Sequence, residues 1–511
     1  MNIREARQEI IDTVRVYLAT DDTGLPLIPA EKQRPILLMG PPGIGKTAIM
    51  EQVAAKMNIN LVSYTITHHT RQSAIGLPFI VKKTFGETDY SVTEYTMSEI
   101  IAEVYDRIEA TGNDKGILFL DEINCVSETL TPTMLQFLQY KTFGTHKLPE
   151  GFVIVTAGNP PEVNASVRDF DIVTLDRVKR IDIDADFTAF RTYALNRMLH
   201  GAILAYLELR KDHFYSLRTD ATGKHFVTAR GWEDLSRMIL SRERLSIPVN
   251  QKLIIQYLQD EEIAESFASY YSLWKKYKDL YHIRAILDGV FPAEKDCILI
   301  RQAPFDEKLS LVMLLSEAIN QDCHTYTAEK ETQEQLHEIL VKAKDEADLL
   351  SYLTDFIRFS DEEATRQKKL HLLSDDEERK RKHLMQALHD LLHHSPFGEP
   401  ADDEADAPST SYISGSLSYE DIKNWFSLRE DRRQERISSY NLHLTNAFVF
   451  LANVFGEGQE IVLFLASLNS SQDALLFIND CGNDAYYQYN KLLLLDERRQ
   501  EILNETMKLG E

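Results

Sequence analysis

Ile36-Leu37-Leu38-Met39 runs directly into Gly40-Pro41-Pro42-Gly43-Ile44-Gly45-Lys46-Thr47, and Ala48 to Met57 continues with helical periodicity. An apolar run, a glycine-rich bend and an amphipathic helix fit the pattern GxxxxGK[ST] in the strand–helix setting that the pattern requires. The logic is electrostatic. Phosphate groups concentrate negative charge, and backbone N–H groups approach them closely only where side chains are missing. The glycines supply that bend, and the following helix adds the positive end of its dipole. Lys46 can reach β- and γ-phosphates. Thr47 can offer a hydroxyl to Mg2+, a hard cation that prefers oxygen. The phosphate-binding stretch expected here is Gly40, Pro41, Pro42, Gly43, Ile44, Gly45, Lys46, Thr47 and Ala48. The plain alternative is a Gly/Pro turn before a helix, and the flanking strand and helix favour the phosphate reading.

Working outward, four more short runs read as strands. They are Leu61 to Ile66, Ile117 to Leu120, Phe152 to Thr156 and, with apolar–charged alternation, Val178 to Ile183. Nearly all-apolar runs of this length suit strands buried on both faces. Amphipathic helices lie between them, for example Ala48 to Met57 and Met97 to Ala110. Alternating β and α predicts an α/β fold: a parallel sheet with helices on both faces.

Two of these strands end in residues that carry chemistry. Ile117-Leu118-Phe119-Leu120 delivers Asp121 and Glu122 to the carboxyl edge of the sheet, where ligands bind in such folds. Asp121 can hold the Mg2+ water shell, and Glu122 can accept a proton from an attacking water. A solvated strand end is the alternative, and the position 75 residues beyond Lys46 (46 to 121) gives the pair its weight. Asn159 follows the strand Phe152 to Thr156, where an amide can hydrogen-bond the water or the γ-phosphate. Its alternative is an Asn-Pro turn.

After about Asp186 strands are expected to stop. Phe187 to Leu209 and Ala229 to Leu240 read as helices, and amphipathic helices continue to about Leu392. The stretch Ser395 to Pro408, rich in proline and acidic residues, reads as a linker. Beyond it, Tyr419 to Leu428, Tyr440 to Phe455, Gly458 to Leu468 and Tyr486 to Met507 read as a small helical unit. The 511 residues suffice for several cores. With 56 basic and 80 acidic residues the net charge is −24, which argues against nucleic acid as a general partner. No apolar run reaches the roughly 18 residues of a membrane helix, and the charged start Met1 to Arg7 does not read as a signal peptide. Cys125, Cys297, Cys323 and Cys481 are far apart and form no CxxC, which suits a reducing cytoplasm.

As a set, the phosphate loop, the Asp-Glu strand, the Asn strand and the helical region after them resemble an AAA+ ATPase. The segments Arg34 to Glu51, Leu118 to Asn124, Ala157 to Pro160, Leu175 to Arg177 and Thr228 to Glu233 look most like the MoxR branch, and the resemblance covers roughly Met1 to Leu245. It implies a P-loop AAA+ core at 1–186 with a helical lid at 187–282, and the residues beyond read as a helical extension at 283–394, an acidic linker at 395–411 and a C-terminal helical domain at 412–511. It implies ATP hydrolysis to ADP and phosphate with Mg2+, with Glu122, Asn159 and Arg177 as catalytic residues and Thr47 and Asp121 on the metal. Arg177 would act as an arginine finger in a neighbouring copy, with Arg168 and Arg180 as rivals. Arg230 would report the nucleotide from the lid. The resemblance further implies a hexameric ring with a chaperone-like task. A von Willebrand factor A domain protein, or another protein client, would be the partner. A DNA-acting motor and an ATP-ordered scaffold without productive turnover are the competing readings.

Other residues carry less. His68-His69-Thr70-Arg71-Gln72-Ser73 follows the second strand and could contact a substrate or satisfy its own loop. His389 and His393, one helical turn apart, and the basic run Arg379 to Lys382 read as solvated helix faces.

Overall fold

Each of the five apolar runs becomes a strand of one sheet in a computed structural model of the chain. The structure describes residues 1–66, 76–86, 88–127, 129–143, 146–161, 170–220, 223–344, 346, 348–369, 375–393 and 418–491. The stretch His68 to Ser73, Arg168, the linker at 395–411 and the end of the last expected helix lie outside the described residues. Two compact units emerge, Met1–Ala194 with Tyr206–Tyr271, and Leu195–Ala205 with Ser272–Glu511.

In the first unit, α1 (Ile3–Leu18) opens on a capping box between Asn2 and Glu5. Then come β1 (Ile36–Met39), α2 (Lys46–Met57), β2 (Asn60–Thr65), the hairpin β3 (Pro78–Phe85) and β4 (Thr88–Tyr95), and α3 (Glu99–Thr111). These are followed by β5 (Gly116–Asp121), α4 (Thr131–Tyr140), the short pair β6 (Thr142–Phe143) and β7 (His146–Lys147), β8 (Phe152–Gly158), α5 (Ile172–Leu175) and β9 (Lys179–Asp182). The sheet has the order β2-β5-β8-β1-β9, and every pair is parallel. Alternate residues of each strand face opposite layers. Leu38, Phe119 and Val155 pack with Ile10 and Val14 of α1 and Met50 and Val53 of α2. Leu37, Leu118 and Ile154 pack with Ile101 and Val104 of α3 and Met134 and Phe137 of α4. Both faces of the sheet are thus covered by helices, as the unbroken apolar runs require.

Strands do not stop after Asp186. The chain continues through α6 (Phe187–Asn196) and α7 (Gly201–Leu209) into an antiparallel hairpin, β10 (Ser216–Asp220) with β11 (Gly223–Val227). Its strands are polar and largely exposed, so no apolar run announces them. The single helix expected from Phe187 to Leu209 is two helices, with Met198 at φ +52° between them. α8 (Ala229–Arg244), α9 (Gln251–Leu258) and α10 (Glu261–Tyr281) follow, and α10 runs on into the second unit. Trp232 and Phe267 meet edge-on at 5.3 Å and are fully buried.

The described residues of the second unit beyond α10 are helical: α11 (Ile283–Leu287), α12 (Glu294–Gln302), α13 (Phe305–Ala343), α14 (Leu349–Lys369), α15 (Asp375–His393), α16 (Tyr419–Phe455), α17 (Gln459–Ser470) and α18 (Gln472–Cys481). Leu336 and Leu340 of α13, Leu388 and Leu392 of α15 and Trp425 of α16 share one apolar cluster. α16 is continuous where the sequence suggests two pieces, because Arg429 to Ser439 bridges them without a helix breaker. Among the described residues no single helix is long and apolar enough to cross a membrane.

Candidate nucleotide site

Register decides what meets at the sheet edge. Met39 lies beside Gly158 and Asp182, and Leu120 lies beside Thr156. The bend after β1, the Asp-Glu pair after β5 and Asn159 after β8 therefore emerge together, with β8 between the other two strands. Gly43 and Gly45 have φ of +75° and +97°, a left-handed bend that other residues enter only with strain. At Gly43 a Cβ would also lie 2.8 Å from Thr228, whereas at Gly45 it would meet nothing within 4 Å. The bend is thus backed on one side and open at the start of α2.

Lys46 is the first residue of α2 and only 8% exposed. Its ammonium carries three donors. Nζ donates to Gly40 O at 2.7 Å, Pro41 O at 3.0 Å and Asn159 Oδ1 at 2.9 Å. Burial drives its pKa down to about 8; Asp121 opposes that shift, Arg230 adds to it and Glu122 opposes it. Thr47 Oγ1 donates to Asp121 Oδ2 at 2.9 Å, and Glu122 N donates to Asp121 Oδ1 at 2.9 Å. A hydroxyl beside a carboxylate is a pair of hard oxygen donors, which suits Mg2+ with water completing its octahedron. Glu122 sits at φ +56°, a left-handed conformation that a long side chain adopts at a cost of about 1 kcal/mol or more. The bend turns the chain sharply out of β5.

Sequence reasoning assigns no role to Asn124 or Tyr215, and both hold the site. Asn124 is 5% exposed, donates from Nδ2 to Asn159 O at 2.8 Å and accepts at Oδ1 from Asn159 N at 3.3 Å. Tyr215 donates from its hydroxyl to Pro42 O at 3.0 Å. The signal for Asn124 was its place two residues after the Asp-Glu pair; for Tyr215 there was none.

Of the two arginines, Arg230 joins the site. Thr228 caps α8 by accepting from Gly231 N, and Arg230 N donates to Gly43 O at 3.1 Å. Its side chain is exposed, and its charge acts on Lys46. Arg177 does not join these residues. It is exposed, its backbone N donates to Thr174 O, and it stands just before β9, at the sheet edge opposite the bend. Arg180 is paired with Asp182 at 2.8 Å. His389 and His393 stack at 6.3 Å, and no cluster of three metal-ligating side chains exists among the described residues.

Residues 35–178 match the family model of the AAA domain, dynein-related subfamily. The matched stretch runs from the start of β1 to the start of β9 and so contains the bend, the Asp-Glu pair and Asn159. The match covers β1, β2, β5 and β8 of the five-stranded sheet with the helices between them. No curated protein matches the chain.

Proposed function

We propose that this chain is a Mg2+-dependent ATPase of the AAA+ type that works as a ring of copies, hexameric in the manner of the MoxR branch, to remodel or mature a protein partner in the cytoplasm. The observation that carries the reading is the triad of contacts at one sheet edge: Lys46 on Asn159, Thr47 on Asp121, and Glu122 turned out of the strand beside them. The amides from Gly43 to Thr47 would take the phosphate oxygens, with the start of α2 behind them. Lys46 would exchange its carbonyl and amide partners for β- and γ-phosphate oxygens. Thr47 and Asp121 would hold Mg2+, whose charge, when bound, offsets that of the phosphates. The Glu122 carboxylate would accept the proton of the attacking water, and Asn159, released from Lys46, would orient that water. Arg230 would contact the γ-phosphate from the lid.

The exposed Arg177 fits a role in trans, because it stands before β9, at the opposite end of the strands from its own phosphate bend. Beside it, Ile172 is 85% exposed and Val173 is 56% exposed, an apolar turn suited to burial against another copy. The client, with a von Willebrand factor A domain protein first among candidates, rests on the MoxR resemblance alone. Phosphate release with Mg-ATP tests the activity. Glu122→Gln should retain nucleotide affinity, lose turnover by roughly 100-fold or more, and sediment as a ring with Mg-ATP. Brisk hydrolysis in that variant removes Glu122 from its role, and strong stimulation by DNA at moderate salt would favour a DNA-acting motor instead.

A further inference from the structure

Phosphate-binding loops work through amide orientation, and this loop starts with a handicap. Pro41 and Pro42 have no N–H, so the donors begin at Gly43. The two carbonyls that follow the prolines' missing amides are both held from outside the loop. Pro42 O accepts from the Tyr215 hydroxyl at 3.0 Å, and Gly43 O accepts from the backbone N of Arg230 at 3.1 Å. Each peptide unit is planar, and among the described residues no peptide bond is cis. In a trans peptide the C=O and the next N–H point in opposite directions. A carbonyl tied outward to the segment 215–230 therefore aims the next amide inward. The tether on Pro42 sets Gly43 N–H, and the tether on Gly43 sets Ile44 N–H.

The geometry points to Tyr215 as a positioning residue for phosphate binding: its hydroxyl, reaching from the start of β10, fixes the Pro42–Gly43 peptide so that Gly43 N–H faces the nucleotide phosphates. This rests on the nucleotide reading above and adds to it. It makes the lid a part of the phosphate cradle before any phosphate arrives. Thr228 reinforces the arrangement, since it fills the space that a Cβ on Gly43 would take. Burial pushes the Tyr215 phenol up to about 12, so it remains a donor across the physiological range. The bond cannot be replaced by Arg230, whose contact uses backbone and holds a different carbonyl.

Tyr215→Phe removes one oxygen and keeps the ring. Calorimetry on the full chain with Mg-ADP and Mg-ATP should show both weakened by the same roughly 3–10-fold, the worth of one neutral hydrogen bond. The KM for Mg-ATP should rise by the same factor with kcat within twofold, because the amide acts alike on ground and transition states. Hydrogen exchange at residues 43–45 of the nucleotide-free variant should speed up while the melting temperature stays put. A role in folding alone would instead lower the melting temperature and reduce kcat. Affinities within a factor of about 1.5 of wild type, with unchanged exchange at 43–45, overturn the proposal. Wild-type protein that binds no Mg-nucleotide overturns the nucleotide reading and this role with it. If Tyr215→Phe melts early, the same comparison made well below its melting temperature decides: affinities within about 1.5-fold of wild type with unchanged exchange at 43–45 overturn the proposal there too.

Discussion

Lys46 is held by three acceptors, and all three are neutral. Its nearby carboxylates do not outweigh burial, so its pKa falls to about 8. A phosphate arriving at Nζ favours the charged form and raises that value. The sign follows. Below about pH 8 the lysine is already charged and binding draws no proton. Above it, part of the population must take up a proton to bind, so affinity falls as pH rises. Mg-ADP affinity should be flat from pH 6.5 to 7.5 and decline toward tenfold per unit between pH 8.5 and 9.5. Calorimetry in two buffers of different ionisation enthalpy should show proton uptake only in the upper range. A flat affinity to pH 9.5 would mean that Lys46 does not meet the phosphates. Glu122 shows a second kind of tension at this scale. Its backbone at φ +56° is a cost that glycine would avoid, and a carboxylate stands there nonetheless.

Between elements, the turn after β5 and the end of β8 are stitched by one side chain. Both ends of the Asn124 amide are used on the backbone of Asn159, and Gly158 leaves no room for a Cβ, which would lie 2.7 Å from Asn124 Oδ1. Asn124→Ala would leave the part-buried N–H and C=O of Asn159 without these partners, at about 1 kcal/mol or more, and would let Asn159 drift from Lys46. The expected result is kcat lower by about tenfold with nucleotide Kd within threefold, measured by steady-state phosphate release and calorimetry. An equal fall in affinity would place Asn124 in binding instead. The hairpin β3–β4 makes the opposite case. Ile80, Phe85 and Tyr90 are exposed, and the hairpin's ends nearly touch: Thr96 N donates to Leu77 O at 3.0 Å and Leu77 N to Thr96 Oγ1 at 2.9 Å. Replacing residues 78–95 by a two-residue Asn-Gly turn should leave the melting temperature within a few degrees and Mg-ADP affinity within twofold. A collapse of either would show that the ribbon supports the sheet.

At the scale of the whole molecule, what was legible follows from what a parallel sheet does to sequence. Ile36 to Met39, Ile117 to Leu120 and Phe152 to Thr156 are apolar on both faces because helices cover both, and their polar endings mark one edge. The bend, Asp121, Glu122 and Asn159 were readable for that reason. The two hairpins were not, because β3–β4 and β10–β11 face solvent and carry no buried run. Nor were Asn124 and Tyr215, whose partners lie 35 and 173 residues away. Arg230 was singled out through the resemblance alone, and its backbone contact with Gly43 had no signal in the sequence. The trans role proposed for Arg177 is one that no single copy can supply. Arg177 stands at the sheet edge opposite the bend, exposed beside Ile172 and Val173, so within one chain it cannot reach a phosphate held at Lys46. If it acts in trans, two defective copies can repair each other. Arg177→Ala keeps its own Glu122, and Glu122→Gln keeps its own Arg177. In a ring with head-to-tail interfaces, a site works when an Arg177→Ala copy has a Glu122→Gln copy as its finger donor. Random mixing at equal amounts makes about a quarter of the sites competent. Each variant alone should lose roughly 10³-fold in turnover, and the mixture should recover toward a quarter of the wild-type rate, growing with total protein concentration. A mixture no faster than its parts would assign Arg177 to its own chain's surface and pass the finger to Arg168 or Arg180, which the same two-variant test then distinguishes.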